Sequence, residues 1–312
     1  MSKMREVREE ERKIYYKEEW SPNQVPEFIE DSIDEREFGF DHDGTGPSDR
    51  YNSYFTLKDL KEELKLSYPY SVYTSISFYE EPMRRKNWQG AELTFDIDAK
   101  DLPVRSCDCK IGEVCPVCLE DAKQLALKII DALKDLGLRD IYFVYSGRGY
   151  HIRVFDDWIL SADSKGREKV LEYVSGSKIP RKDTDRGYSR VFKNFALHVL
   201  KRVNKSKLRN IEGLGDKSIK KLKKKADEGR KNLNIGNRKG EKNLYEWLSK
   251  VNSDSVDAKV TMDVKRILRM PSSLHSKAGM ICKVIPRENW EDFNPFEDAV
   301  PEFREDEIEK SS

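Results

Sequence analysis

Residues 91–98, AELTFDID, alternate strictly, with Leu93, Phe95 and Ile97 apolar and Thr94, Asp96 and Asp98 polar. A period of two predicts a strand packed on one face, and here the other face carries both aspartates. Downstream, Ala122, Leu125, Ala126, Ile129, Ile130, Leu133 and Leu136 recur every three or four residues. That spacing predicts an amphipathic helix, which Gly137 ends. Residues 141–145 (IYFVY) then predict a strand, Ser146-Gly-Arg-Gly149 a tight turn, and residues 151–155 (HIRVF) a second strand. Residues 57–66 (LKDLKEELKL) have helical spacing, and residues 70–78 have the aromatic and β-branched content of a strand. Strand character returns at residues 259–264 (KVTMDV), with Val260, Met262 and Val264 on one face and Thr261 and Asp263 on the other, and again at residues 280–285.

Between these stretches the pattern changes. Residues 160–256 are lysine-rich, poor in strand signals and mostly helical in spacing, as in residues 191–203; residues 201–242 alone hold sixteen Lys/Arg against five Asp/Glu. The order of elements predicts an α+β fold, with one catalytic domain interrupted by a helical, basic insertion. Residues 1–160 and 257–290 form the two parts of the domain, residues 161–256 the insertion, and residues 291–312 an acidic tail, expected to be a loose appendage because it contains Pro295 and Pro301.

The 312 residues suffice for a large core. Lys+Arg and Asp+Glu nearly cancel, at 58 against 57, so net charge says nothing of a polyanionic partner and local clusters must decide. No apolar run approaches the ~20 residues of a membrane helix, and residues 1–19 lack the apolar stretch of a signal peptide. Four of the five cysteines lie within residues 107–118, unlike a spread disulfide framework. The expectation is a cytoplasmic protein without a membrane partner.

Asp96 and Asp98, two residues apart on a strand, point the same way with side chains roughly 7 Å apart. That spacing suits a pair of hard divalent ions, although D-x-D also serves metal-dependent glycosyltransferases and occurs on solvated strand edges. The apolar partners Leu93, Phe95 and Ile97 favour the metal, because a packed sheet makes unpaired carboxylates costly. Asp263 would supply a third acid. Ser146, Arg148 and His151 bring a hydroxyl, a guanidinium and an imidazole to one turn, which suits phosphate oxygens, the alternative being a plain hairpin. Arg266, Arg269, His275 and Lys277 follow Asp263 closely, as a triphosphate beside a metal site requires. Cys107, Cys109, Cys115 and Cys118 have the density of a four-thiolate zinc site, with Cys115-Pro-Val-Cys118 as its C-x₂-C half; Cys282 reads as a small buried hydrophobe.

Taken together, FDID at 95–98, the cysteine cluster, SGRGYH at 146–151 and DVKRILRMPSSLHSKAG at 263–279 resemble the small catalytic subunit of archaeal and eukaryotic DNA primases; Arg36-Glu-Phe-Gly-Phe40 resembles a segment near that family's start. The resemblance implies the prim fold of the archaeo-eukaryotic primase superfamily, with a mixed β-sheet core, a zinc knuckle and an inserted helical subdomain. It implies Asp96, Asp98 and Asp263 as catalytic acids holding Mg²⁺ or Mn²⁺, and Ser146, Arg148, His151, Arg269, His275 and Lys277 as nucleotide contacts. It further implies synthesis of short RNA, or DNA, primers from nucleoside triphosphates on single-stranded DNA, a large-subunit partner in a heterodimer, and a nucleoid setting. A repair primase-polymerase of the same superfamily is the nearer alternative, a D-x-D glycosyltransferase the remoter one. Within the basic region, residues 211–222 (IEGLGDKSIKKL) look like one helix-hairpin-helix element able to present backbone N–H groups to a DNA phosphate, or else a solvated basic helix.

Overall fold

The computed structural model describes residues 4–110, 112–181 and 186–309. In chain order its strands are β1 (Phe38–Asp41), β2 (Asp49–Asn52), β3 (Ser71–Ser75), β4 (Ser77–Glu81), β5 (Lys86–Ala91), β6 (Leu93–Asp98), β7 (Ile141–Tyr145), β8 (Gly149–Val154), β9 (Ile267–Arg269), β10 (Leu274–His275), β11 (Met280–Ile281) and β12 (Lys283–Ile285). The helices that matter below are α1 (Leu57–Ser67), α2 (Pro116–Asp135), α3 (Arg186–Arg202), α4 (Lys205–Arg209), α5 (Asp216–Asp227), α6 (Arg238–Ser253) and α7 (Ala258–Met262). The mixture of helix and sheet is the α+β class expected. No helix among the described residues is long and apolar enough to cross a membrane.

Contacts divide the chain into two compact units, residues 1–94, 140–164 and 263–312 forming one and residues 95–139 and 165–262 the other. These limits cut across the sequence-based division, because the cysteine cluster and α2 group with the basic helices. The chain passes from the first unit to the second within β6.

The first unit holds the antiparallel sheet β2–β1–β3–β9, the pairs β4–β5 and β10–β11, and the antiparallel run β12–β7–β8. Tyr15, Tyr16, Trp20, Phe38, Leu60 and Met270 belong to its core. At the start of α1, Thr56 and Asp59 form a reciprocal capping box, each side chain accepting the other's backbone N–H. Glu92, immediately before β6, is fully buried between two arginines: Arg36 donates to it at 2.6 Å, and Arg153 at 2.6 and 2.8 Å. Removing Glu92 would leave two buried guanidiniums without a counter-charge, so the triad fixes where β6 begins.

In the second unit, α2 begins earlier than the apolar spacing indicates. Cys115 occupies its N-cap with Pro116 at the first position, and Cys118 and Leu119 are buried in the first turn. Gly137, at φ +90°, ends it as expected. Phe192, Leu200, Leu208, Ile219, Leu222 and Leu244 make the core among α3, α4, α5 and α6. A turn over residues 210–215 joins α4 to α5. Its Gly213, at φ +87°, is required by packing: a Cβ there would lie 2.9 Å from the Gly240 backbone, and Asn237 Nδ2 donates to the Gly213 carbonyl at 2.9 Å.

Four expectations are corrected. Residues 259–264 do not form a strand. The Asp257 carboxylate accepts the Lys259 N–H at 2.9 Å and caps α7, so a local N-cap overrides the period-two pattern and Asp263 sits in the turn that follows. Residues 70–78 form two strands, broken at Ile76, whose N–H donates to the Arg266 carbonyl and whose carbonyl accepts the Glu92 N–H. Residues 280–285 are likewise broken at Cys282, where the backbone pairs with Ser272 and Ser273. The acidic tail is packed: Phe293, Phe296 and Ala299 are buried, Glu19 accepts the N–H groups of Glu302 and Phe303, and buried Arg304 donates to the Gly279 carbonyl at 2.7 Å. Its aromatic anchors outweigh its charge.

Candidate active site

On β6, Leu93, Phe95 and Ile97 are completely buried, which turns Asp96 and Asp98 to the opposite face. Both line a cavity of about 340 Å³ in the second unit, together with Lys100, Asp101 and residues 254–257, the connection from α6 to α7. The Asp257 N–H donates to the Asp96 carbonyl at 3.2 Å, so this connection is held against β6. Burial pushes the Asp96 carboxyl up to about 7, and the charges of Asp98 and Asp257 push the same way. Asp98 accepts the Lys100 N–H at 3.1 Å and the Lys100 ammonium at 2.6 Å, and Lys100 also pairs with Asp101. Hard oxygen donors crowded around the buried Asp96 carboxyl are a donor set that fits Mg²⁺ or Mn²⁺, because a bound cation relieves the repulsion. Asp257 and Asp254 are additions that the sequence reading passed over. Their signal, NSDSVD at 252–257, was absorbed into the end of the basic insertion.

Asp263 belongs to the first unit, is exposed, and accepts the Lys265 N–H at 3.0 Å, with Arg266 4.0 Å from its other oxygen. The predicted nucleotide-contact residues also lie in the first unit. The Ser146–Gly149 turn closes with Ser146 N–H donating to the Gly149 carbonyl at 3.0 Å, and the Tyr145 hydroxyl donates to Gly147 O at 2.6 Å. Gly147, at φ +100°, lies directly on the His275 ring: a Cβ would come within 2.4 Å of it. His151 sits on β8 opposite Val144, and Arg269 on β9 opposite Tyr73, with its guanidinium 5.0 Å from the centre of the Tyr73 ring.

Both imidazoles are neutral. Burial, with Arg153 and Arg269 adding to it, pushes His151 down to about 3. Burial also drives His275 well down, as do Arg269, Arg148 and Lys277. Arg269 is thus within electrostatic reach of both imidazoles, and Arg148 and Lys277 are within reach of His275. The Ala278 N–H donates to His275 Nδ1 at 3.3 Å, which leaves the ring hydrogen on Nε2 as a donor. Two neutral imidazoles among three cations suit an anionic, oxygen-rich ligand.

Among the described residues, the four thiols are the set whose donor atoms already lie within 4.8 Å of one another. None is oxidised to a disulfide. Cys118 Sγ accepts the Cys115 N–H at 3.0 Å. Burial pushes the Cys118 thiol up to about 11, whereas at Cys115 hydrogen bonds from Cys118 and the neighbouring thiols outweigh burial and lower it. Asp121 of α2 accepts from both Ser106 N and Oγ and from Arg202 of α3, anchoring the loop that carries Cys107. All four sulfurs point to one centre, so the cluster can hold a metal ion with no open position.

A profile of the family described as "DNA primase small subunit" matches residues 95–286. The chain is 45% identical over 328 residues to "DNA primase small subunit PriS" of Thermococcus sibiricus, covering 98% of this chain and 96% of that one. It is also 45% identical over 318 residues to the protein of the same name from Methanothermobacter thermautotrophicus, covering 94% and 95%. Among solved structures, the "Polymerase Domain from Mycobacterium tuberculosis Ligase D in complex with DNA" aligns with a TM-score of 0.45 at 14% identity, covering 97% of this chain and 88% of that one.

Proposed function

The chain belongs to the DNA primase small-subunit family, and from that premise we propose that it joins nucleotides on single-stranded DNA at the cavity of Asp96 and Asp98, with Asp263 as third acid. As a catalytic primase subunit it is a DNA-directed nucleotidyltransferase. The observation that carries the assignment of the site is the pair of aspartates sharing one polar strand face in a cavity whose crowded carboxylates call for cations.

Divalent ions, Mg²⁺ or Mn²⁺, held by the aspartates would supply the acidified 3′-hydroxyl and the neutralised pyrophosphate of nucleotidyl transfer. The chain's own groups do the positioning. Arg148, Arg269 and Lys277 attract the triphosphate, Ser146 adds a hydroxyl donor, and His151 and His275 donate hydrogen bonds without adding charge. Gly147 allows the Ser146–Gly149 turn to rest on His275, which holds Arg148 in a set orientation. Zinc at Cys107, Cys109, Cys115 and Cys118 would be structural, tying residues 107–118 to α2. The basic helices of residues 165–256 grip the template. A large subunit completes the heterodimer, which acts inside the cell at the nucleoid.

The test is synthesis on single-stranded DNA without primer, run with Mg²⁺ and with Mn²⁺ and with each nucleotide class. Wild type is expected to make short template-dependent products, and Asp96→Asn and Asp263→Asn none. Extension of an annealed primer with no primer-free product would assign the chain to gap filling instead.

A further inference from the structure

A cavity of about 790 Å³ in the second unit shares no lining residue with the acidic one. Its walls are α3, α6, residues 179–181 and residues 231–234. Lys193, Lys231, Arg238 and Lys242 line it against a single carboxylate, Glu241. That carboxylate is turned into the adjoining loop, where it accepts the N–H groups of Ile235 at 2.8 Å and Gly236 at 3.0 Å. Among the described residues Lys193, Lys231 and Arg238 make no ion pair with a carboxylate, and the exposed Lys242–Glu246 pair is 3.8 Å long. Cations gathered without counter-charge around a concavity create a positive potential that an anion relieves.

The arrangement favours a chain of anions over one compact phosphate. Arg238, Lys242 and Tyr245 follow one another on a single face of α6, each step about a helical turn, ~4.5–6 Å along the axis. Lys193 faces them from α3 and Lys231 from the loop. Tyr245 is held by stacking on Phe192, ring centres 5.3 Å apart and 21° from parallel, and Lys225 fixes the loop by donating to the Asn234 carbonyl at 2.7 Å. A positive track with an aromatic ring beside it is how single strands are held without sequence preference, phosphates on the cations and a base on the ring. We propose that this cavity takes a segment of single-stranded nucleic acid, with phosphates on Lys193, Lys231, Arg238 and Lys242 and a base against Tyr245. The inference rests on the template-copying reading above and names where the second unit grips the strand. It ranks this cavity above the lysine face of α5, where Lys223 and Lys225 are turned inward onto the carbonyls of Lys201 and Asn234.

The test is the affinity of the full chain for a fluorescein-labelled 20-nucleotide single-stranded DNA, by anisotropy across a salt series. The Lys193→Gln/Lys231→Gln/Arg238→Gln variant is expected to bind about tenfold or more weakly at low salt. Its log K against log [salt] slope should be shallower by about 2, since each single-strand phosphate contact contributes about 0.7. Lys193→Arg/Lys231→Arg/Arg238→Lys should restore the slope, and an unchanged melting temperature in all variants excludes misfolding. A charge-matched Lys220→Gln/Lys221→Gln/Lys224→Gln variant of α5 should change the slope less. An unchanged slope in the cavity variant, an equal loss in the α5 variant, or a loss of ATP affinity with oligonucleotide binding intact would each overturn the proposal. Primer-free synthesis by the same wild-type preparation separates the two readings. Synthesis with an unchanged slope removes this site alone, and a changed slope without synthesis removes the catalytic reading and leaves the site standing.

Discussion

The backbone N–H of Asp257 donates to the carbonyl oxygen of Asp96 at 3.2 Å, bringing the α6–α7 connection against the strand that carries both candidate metal ligands. The side chain of Asp257 is thereby added to the charge around Asp96.

That charge makes divalent-ion binding pH-dependent. Burial, then Asp98 and Asp257, push Asp96 up to about 7, so below that pH a cation must displace a proton. Affinity for Mn²⁺ should be flat above pH ~7.5 and fall by up to tenfold per unit as pH drops below about 7. In the metal-free protein the sign for stability follows from proton counting. An unfolded aspartate titrates near ~3.9, so between about 4 and 7 the native state holds the extra proton. Asp96 therefore destabilises the fold progressively as pH rises through that window. Asp257→Asn should move the fall in Mn²⁺ affinity, and the upper end of the destabilising window, to lower pH. Calorimetric Mn²⁺ titrations from pH 5.5 to 8.5 decide it, and pH-independent affinity would remove Asp96 as a ligand.

Gly147→Ala tests the turn. The φ of +100° strains any side chain, and the added Cβ would meet the His275 ring at 2.4 Å, so either the ring or the turn must move. A loss of stability of about 1–3 kcal/mol is expected. KM for the nucleotide should rise with template affinity near wild type, and Arg148→Ala should raise KM without the stability loss. Steady-state kinetics beside template anisotropy separate the two, and a collapse of template binding in Arg148→Ala would reassign the turn to the template.

Local patterns were legible where one rule governed them. The alternation of residues 93–98, the turn at Ser146–Gly149 and the density of Cys107 to Cys118 each describe groups close in sequence. The sequence misled where a tertiary or end effect overrode the pattern. Asp257 caps α7 and so dissolves a strand suggested by Val260, Met262 and Val264. Ile76 and Cys282 break apparently continuous strands because each pairs with backbone from a distant segment. The cavity of Asp96 was only half legible, because residues 254–257 reach it through a contact about 160 positions away in sequence, which no local period encodes.

His151 makes a prediction of opposite sign to Asp96. Burial first, then Arg153 and Arg269, hold its folded pKa near 3. The unfolded chain takes up the proton at about 6.5. Its effect on stability is absent above that pH and grows as a loss while pH falls from about 6.5 toward 3. His151→Gln should flatten the acid limb of the stability curve over that range. A variant that keeps the wild-type acid limb would show that the imidazole does not stay neutral in the fold.

Cys115 and Cys118 set the start of α2, so metal removal should act on the fold before it acts on chemistry. Wild type should carry about one zinc per chain, and a strong chelator or Cys115→Ser should lower the melting temperature. Cys118→Ser should be more damaging than Cys115→Ser, because Cys118 is fully buried in the first turn while Cys115 is partly exposed. The folded fraction of Cys115→Ser should keep some synthesis. Metal analysis that finds no zinc in protein purified without chelator would refute the assignment.

Asp98→Asn tests the catalytic claim against a purely structural role. Asp98 accepts from the Lys100 backbone and ammonium, and an asparagine keeps the first bond and loses the charge of the second. The pair is about a third exposed, so its loss should cost no more than about 1 kcal/mol. Relief of repulsion on Asp96 works in the other direction. The metal-free variant should therefore melt within a few degrees of wild type. Synthesis should nonetheless fall at least about a hundredfold, since a missing ligand forfeits several kcal/mol of transition-state charge stabilisation. Mn²⁺ should raise the melting temperature of wild type more than that of the variant, because only binding to the native state stabilises it. If instead Asp98→Asn lost stability first, with activity declining only in step with the folded fraction, Asp98 would be a structural partner of Lys100. A fully active variant would end the metal-site reading altogether.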